Sequence, residues 1–185
     1  MNENQSGNIN PERIASIRHI IARIDAFSET IGRGVAWLVP AMAIVTFAIV
    51  VLRYVFNLGW VWMQETVIYM HAAFFMLAMG YTLSHEGHVR VDIFFQEFDA
   101  RRKAQVDFWG TLFLLYPVCL LLIYFGFGYV TDSWMRLETS PEAGGLPLVF
   151  VLKSLILFMP VLLAIQGTSR LLSAYLILGE DEIDD

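Results

Sequence analysis

The sequence predicts an all-α integral membrane protein, with four transmembrane helices preceded by an amphipathic N-terminal interfacial helix. Of its 185 residues, 57% are hydrophobic and only 16% are charged, and the mean hydropathy is +0.57. Soluble domains are about 25% charged. The uncharged residues are also concentrated in four runs, and a helix of ~20 such residues crosses a hydrocarbon core of ~30 Å. Composition and charge distribution therefore both favour a membrane protein.

The first 33 residues divide into a polar start, residues 1–9, which we expect to be disordered, and an amphipathic helix over residues 10–33. Asn10 followed by Pro11 is typical of a helix start. Apolar residues then recur at helical spacing in one stripe: Ile14, Ile17, Ile20, Ile21, Ile24, Phe27 and Ile31. The other side of the helix carries Arg18, His19, Arg23, Asp25 and Glu29. This pattern suits a helix in the membrane interface, or one that packs on a partner subunit.

Four spans are predicted within a membrane domain of residues 34–178, at about 34–53, 65–85, 107–131 and 147–177. The first three contain long runs without a formal charge. The fourth includes Lys153 and Arg170, whose long side chains can reach the two membrane interfaces. Residues 179–185 form an acidic tail.

The loops and their charges predict the orientation. Nine of the 12 Lys and Arg residues flank one side of the spans and three flank the other, so both termini are expected in the cytoplasm. In the first outer loop, Asn57 and Gly59 predict a turn, and Tyr54, Trp60 and Trp62 are typical of an interfacial aromatic belt. The third loop, residues 132–147, is rich in Pro and Gly and is expected to be irregular.

Several classes of function are excluded by the sequence. Outside the acidic tail the charges nearly balance, so no basic surface for nucleic acid is present. Nucleotide, phosphate-loop and metalloprotease motifs are missing, so we expect no enzyme activity, no metal site and no cofactor. His71 is the only titratable residue deep in a predicted span, and spans one, three and four contain no histidine. A haem held by two histidines from facing helices therefore lacks a second ligand.

Three charged residues near the outer ends of the spans have open roles. Arg53 and Glu65 end the first outer loop, where they either form an ion pair that clamps the hairpin or remain independently solvated. Lys153 either meets an acidic residue of a partner or extends to the interface.

An ordered set of residues resembles the small membrane subunit, the DctQ family, of tripartite ATP-independent periplasmic (TRAP) transporters. The resemblance covers about residues 34–176. It is carried by Arg53, Tyr54 and Phe56, then Trp62 and Glu65, then Gly80, then His88 and Asp92 within Gly87–Asp92, and in the fourth span Lys153, Pro160 and Gln166. Gln64 departs from the pattern, because many members have a second acidic residue before Glu65.

The resemblance implies a subunit of a three-protein importer in the bacterial inner membrane. Its partners would be a large multi-span permease subunit (DctM-like), which carries the transport site and the sodium coupling, and a periplasmic solute-binding protein (DctP-like). The small subunit would brace the large one, help to dock the binding protein and bind no cofactor, and the solute would be a small carboxylate. The alternatives are an autonomous oligomeric transporter or channel and a haem-binding membrane anchor.

Overall fold

The structure, a computed structural model, describes residues 11–85 and 98–180. Within these ranges it contains helices and no strand. The helices are α1 (Pro11–Ala36), α2 (Leu38–Val55), α3 (Val61–Leu77), α4 (Met79–Ser84), α5 (Ala100–Gly110), α6 (Tyr116–Arg136) and α7 (Val149–Glu180), with a π-helical turn (Thr111–Leu115) between α5 and α6. Four helical runs are long and apolar enough to span a membrane: Pro11–Val55, Val61–Ser84, Ala100–Arg136 and Val149–Gly179. The predicted fold class is therefore confirmed, while residues 1–9 and most of the acidic tail lie outside the described residues.

Helices α1 and α2 follow each other almost without interruption, and only Trp37 separates them. Pro40 explains the break, because a proline in the first turn of α2 has no N–H to donate to the preceding turn. Helix α1 packs against α7 and α4 of its own chain. Ser28 and Gly32 are its buried residues. The amphipathic helix thus has an intramolecular packing face, and its position in the membrane interface stays a prediction.

The third span is longer than expected, since the helix is continuous from α5 through α6. Asp99 begins it as an N-cap, and its side chain accepts a hydrogen bond from the backbone N–H of Arg102 at 2.9 Å. The π-helical turn ends two residues before Pro117. An extra residue in a turn accommodates a proline that cannot donate its own backbone bond.

Helix α7 occupies the centre of the bundle, where it contacts α1, α3, α4, α5 and α6. Small residues allow this close packing, as is usual between membrane helices. A Cβ added to Gly126 would lie 3.2 Å from Ile156, and one added to Gly167 would lie 2.6 Å from Leu115. Gly110 and Gly128, which are equally small, face open space. Only some of the glycines in the spans therefore mark helix contacts.

Two non-glycine residues with positive φ shape the outer loops. Asn57 (φ 53°) makes the predicted turn between α2 and α3, and Leu137 (φ 45°) ends α6. The third loop then runs without helix from residue 138 to residue 148. The ends of α3, α6 and α7 are brought together around this loop.

Candidate functional site

At one end of the bundle a polar cluster joins α1 to α7; we call it the Gln166 cluster (Gln166, Asp25, Ser28 and Ser169). Gln166 is 1% exposed. Its amide oxygen accepts a hydrogen bond from the Ser28 hydroxyl at 2.6 Å, and its amide nitrogen donates to Asp25 at 2.8 Å. Ser169, one turn further along α7, also donates to Asp25, at 2.7 Å. All four side chains therefore have partners within the cluster.

This arrangement corrects one expectation about α1. The helix pattern placed Asp25 on the polar side, away from the packing face, whereas the structure places its carboxylate against α7. The predicted candidate Gln166 is the residue that holds it there. Since a polar group without a partner is costly in a low-dielectric interior, each member of the cluster specifies the position of the others.

Glycines let the backbones approach around the Gln166 cluster. A Cβ on Gly80, another predicted candidate, would lie 3.4 Å from the Leu162 carbonyl oxygen and 3.5 Å from the Ser28 hydroxyl. A Cβ on Gly32 would lie 2.3 Å from the ring of Tyr81. A methyl group at Gly32 would overlap Tyr81, so α4 can lie this close to α1 only because Gly32 has no side chain, whereas a methyl group at Gly80 would make an ordinary contact with α7.

Beside the Gln166 cluster lies an open cavity of about 390 Å³ between α1, α5 and α7. Asp25, Gln166 and Ser169 form one wall, and charged residues of both signs form another: Lys103, Asp107 and Arg170. Arg170 lies 3.8 Å from Asp107, which links α7 to α5. The lining combines apolar side chains with charges of both signs, so it does not indicate a ligand of either sign.

At the opposite end of the bundle, Glu65 anchors the third loop; we call this contact the loop anchor (Glu65, Ser140 and Leu146). One carboxylate oxygen of Glu65 accepts a hydrogen bond from the Ser140 hydroxyl, and the other accepts the backbone N–H of Leu146 at 2.5 Å. Ser140 and Leu146 are themselves joined by a backbone bond of 3.1 Å. Leu146, where the loop turns back toward α7, is therefore fixed to α3 by its backbone N–H.

The structure matches neither alternative for Arg53 and Glu65. In the part of the chain that the structure describes, no ion pair joins them, and the Glu65 carboxylate is used by the third loop instead. Arg53 lies at the end of α2, exposed, beside Asn57 and Gln64. Glu65 thus joins α3 to the third loop and does not pair across the first loop.

Lys153 has a partner that neither sequence alternative included. Its ammonium group donates to Glu138 of the same chain at 2.5 Å and lies 4.0 Å above the centroid of the Tyr129 ring. Only 15% of the Lys153 side chain is exposed. The Ser133 hydroxyl donates to the same Glu138 oxygen at 2.7 Å. Hydrogen bonds from Lys153 and then from Ser133 lower the pKa of Glu138 below its ordinary value.

The other predicted candidates divide into exposed residues and residues that lie outside the described ranges. The aromatic side chains of Tyr54, Phe56 and Trp62 are all exposed at the ends of α2 and α3. His88 and Asp92 lie outside the described residues. The candidates that the structure brings into contact with other helices or with the third loop are therefore Glu65, Gly80, Lys153 and Gln166.

Residues 42–176 match the family model of the DctQ component of tripartite ATP-independent periplasmic transporters. The chain belongs to the DctQ family. It is therefore a multi-pass membrane protein and the small subunit of a TRAP transporter, as the resemblance predicted. The searches of curated proteins and of solved structures each gave no match.

The family match includes Glu65, Lys153 and Gln166 but not Asp25 and Ser28 of α1. In this DctQ component the Gln166 cluster thus links the matched region to the helix before it. Sequence reasoning missed Asp25, Ser28, Glu138 and Ser140 as contact residues. Ser28 and Gly32 could have been found, because two small residues four positions apart are typical of close contacts between membrane helices.

Proposed function

We propose that this DctQ component is a non-catalytic structural subunit that braces the large, DctM-like permease subunit and helps to dock a periplasmic, DctP-like binding protein. Sodium coupling and the transport site then belong to the large subunit, and the solute is a small carboxylate. Both termini lie in the cytoplasm of a bacterium, and the chain spans its inner membrane.

The polar chemistry of the described residues supports a bracing role. Ion-coupled transport needs polar or ionisable groups along a path through the membrane. Here Gln166, Asp25, Glu65 and Lys153 are all engaged in contacts that join helices or fix a loop. Among the described residues these four groups lie toward the ends of the bundle and join its parts. His71, midway along α3, is a single further group and does not form a path by itself.

The third loop supports the docking role. The loop anchor fixes it to α3, and the bond between Glu138 and Lys153 fixes it to α7. A surface that is already ordered loses less conformational entropy when a partner binds. With the termini in the cytoplasm this loop faces the periplasm, where the binding protein arrives.

Reconstitution in liposomes tests the proposal. The chain alone, the large subunit alone, both together, and both with the binding protein are compared for uptake of a panel of labelled C4-dicarboxylates and sugar acids under an inward sodium gradient. We expect uptake only with all three proteins. Uptake by this chain alone would refute the bracing role, and full uptake by the large subunit and binding protein without this chain would show that it is dispensable.

Glu65→Ala tests docking separately. It releases the loop but leaves the Gln166 cluster intact, so we expect the two membrane subunits to co-purify while uptake falls and the binding protein is needed at higher concentration. Asp132→Ala, which removes an exposed carboxylate of α6 and leaves the loop anchor and the α3 helix unchanged, is the control. An unchanged dependence on binding-protein concentration in Glu65→Ala would contradict the role of this loop.

A further inference from the structure

One stripe along α3 is left uncovered by the rest of the described chain. It consists of Gln64, Ile68, His71 and Phe75, spaced by four, three and four residues, and all four are exposed. Residues at this spacing share one helix face. Helix α3 packs against α1, α2 and α7, so these contacts use its other faces. We call Gln64, Ile68, His71 and Phe75 the α3 stripe.

His71 makes the α3 stripe unsuited to lipid. The helical run Val61–Ser84 rises 1.5 Å per residue, which places His71 ~15 Å from one end and ~20 Å from the other. An imidazole is too short to reach water from that depth. Lys and Arg near helix ends do reach the interface, because their side chains are longer and start closer to it.

Within the described residues, His71 has a ring contact but no hydrogen bond. Its ring stacks near that of Phe75, with 6.5 Å between centroids. A neutral imidazole carries one donor and one acceptor nitrogen, and lipid tails supply neither a donor nor an acceptor. An imidazole ring without hydrogen-bond partners therefore has a high free energy in hydrocarbon. Ionisable residues within spans usually face protein or a water-filled cavity.

We propose that the α3 stripe binds a transmembrane helix of the large permease subunit. This helix presents, at mid-depth in the membrane, a group that accepts a hydrogen bond from the N–H of His71. This inference rests on the proposed function and specifies where the bracing contact lies. Ile68 (59% exposed) and Phe75 (55% exposed) flank the histidine and supply packing surface on either side of it. Gln64 supplies a second polar contact at the end of the helix nearest the first loop.

Photo-crosslinking tests the location. Ile68 and Phe75 are replaced one at a time by p-benzoylphenylalanine in cells that produce both membrane subunits, and the membranes are irradiated. Phe47 on α2 is the matched control, because it is also mid-span and 69% exposed. We expect a covalent product containing the large subunit from both stripe positions, at several-fold higher yield than from Phe47. Products containing a second copy of this chain, lipid adducts alone, or equal yield at Phe47 would each overturn the proposal.

Substitution of His71 tests the hydrogen bond. Interhelical hydrogen bonds in membranes have modest energies, so His71→Leu is expected to reduce the co-purified large subunit about three-fold, and up to ~20-fold. His71→Gln retains a donor and is expected to restore much of the loss. Phe47→Leu is the control. If His71→Leu does not accumulate, the crosslinks, which keep His71, still decide the location.

The outcomes separate this proposal from the bracing role itself. If the wild-type subunits co-purify but His71→Leu is unchanged and the crosslinks fall elsewhere, the α3 stripe is not the interface although bracing stands. If the wild-type subunits do not co-purify at all, the bracing role itself is refuted, and the proposal for the α3 stripe is refuted with it.

Discussion

Replacing Gln166 by Leu should release α1 from the rest of the bundle. Leucine is similar in size, so the substitution removes polar groups with little change in volume. It removes the bonds to Ser28 and Asp25 at 2.6 and 2.8 Å, while Asp25 keeps its bond from Ser169. The helices themselves remain intact, and the docking of α1 against α7 is the property that changes.

The magnitude follows from these two bonds. A neutral hydrogen bond contributes ~1 kcal/mol and one to a charged group ~1.5–3 kcal/mol. Interhelical bonds measured in a membrane protein average only ~0.6 kcal/mol each. We therefore expect Gln166→Leu to destabilise the docked position of α1 by about 1 to 4 kcal/mol. This corresponds to at least a five-fold increase in the equilibrium constant for separation of α1 from α7.

Maleimide labelling measures this opening. A cysteine replaces Ile21, which is half-buried on α1, and buried Cys119 stays in place, with the unmodified protein giving its background. We expect the rate of maleimide labelling in Gln166→Leu to rise at least five-fold. Val161→Leu, at an exposed site on α7, serves as the control. Equal rates in the two variants would refute a stabilising role for the Gln166 cluster.

Three further predictions concern other contacts. Gly32→Ala should lower the thermal midpoint of the purified protein, because the new methyl group would overlap an aromatic ring 2.3 Å away, whereas Gly34→Ala faces open space. A loss of subunit yield caused by Arg53→Glu should not be recovered by adding Glu65→Arg, because the two residues form no ion pair. A cysteine placed in the third loop should react with maleimide faster in the double variant, because Glu65→Arg removes the loop anchor. The contact between Glu138 and Lys153, at the start of the third loop, should persist as pH falls through the usual range of carboxyl groups and be lost only below it, because Glu138 has a lowered pKa.

The controls for these predictions are direct. Equal thermal midpoints for the two alanine variants would contradict the close contact at α1. Recovery of wild-type yield in the charge-swapped variant would show an ion pair after all. For the pH prediction, hydrogen exchange of the third loop is followed in the wild type and in Lys153→Met. The variant should loosen at a higher pH, since it lacks the strongest cause of the lowered pKa, and an unchanged midpoint would contradict that cause.

The helices could be predicted because each is a local property of the chain. A run of uncharged residues specifies a span, whatever it packs against. Contacts between spans could not be predicted in the same way. Glu65 binds a loop 75 residues further along the chain, and among the glycines of the spans only the structure separates Gly126, which touches α7, from Gly128, which faces open space.

The error at Asp25 has a physical reason. The sequence pattern assigned the isoleucine stripe of α1 to the membrane interface or to a partner subunit, and the polar side to water, as for an amphipathic helix at a surface. In a bilayer, lipid accepts apolar side chains, so helices associate through small and polar residues instead. Asp25, Ser28 and Gly32 follow that second rule, while Ile20 and Phe27 remain about half exposed. The same rule makes His71 informative: a polar residue on an uncovered face of a span indicates the position of a missing neighbour better than any of the apolar residues around it.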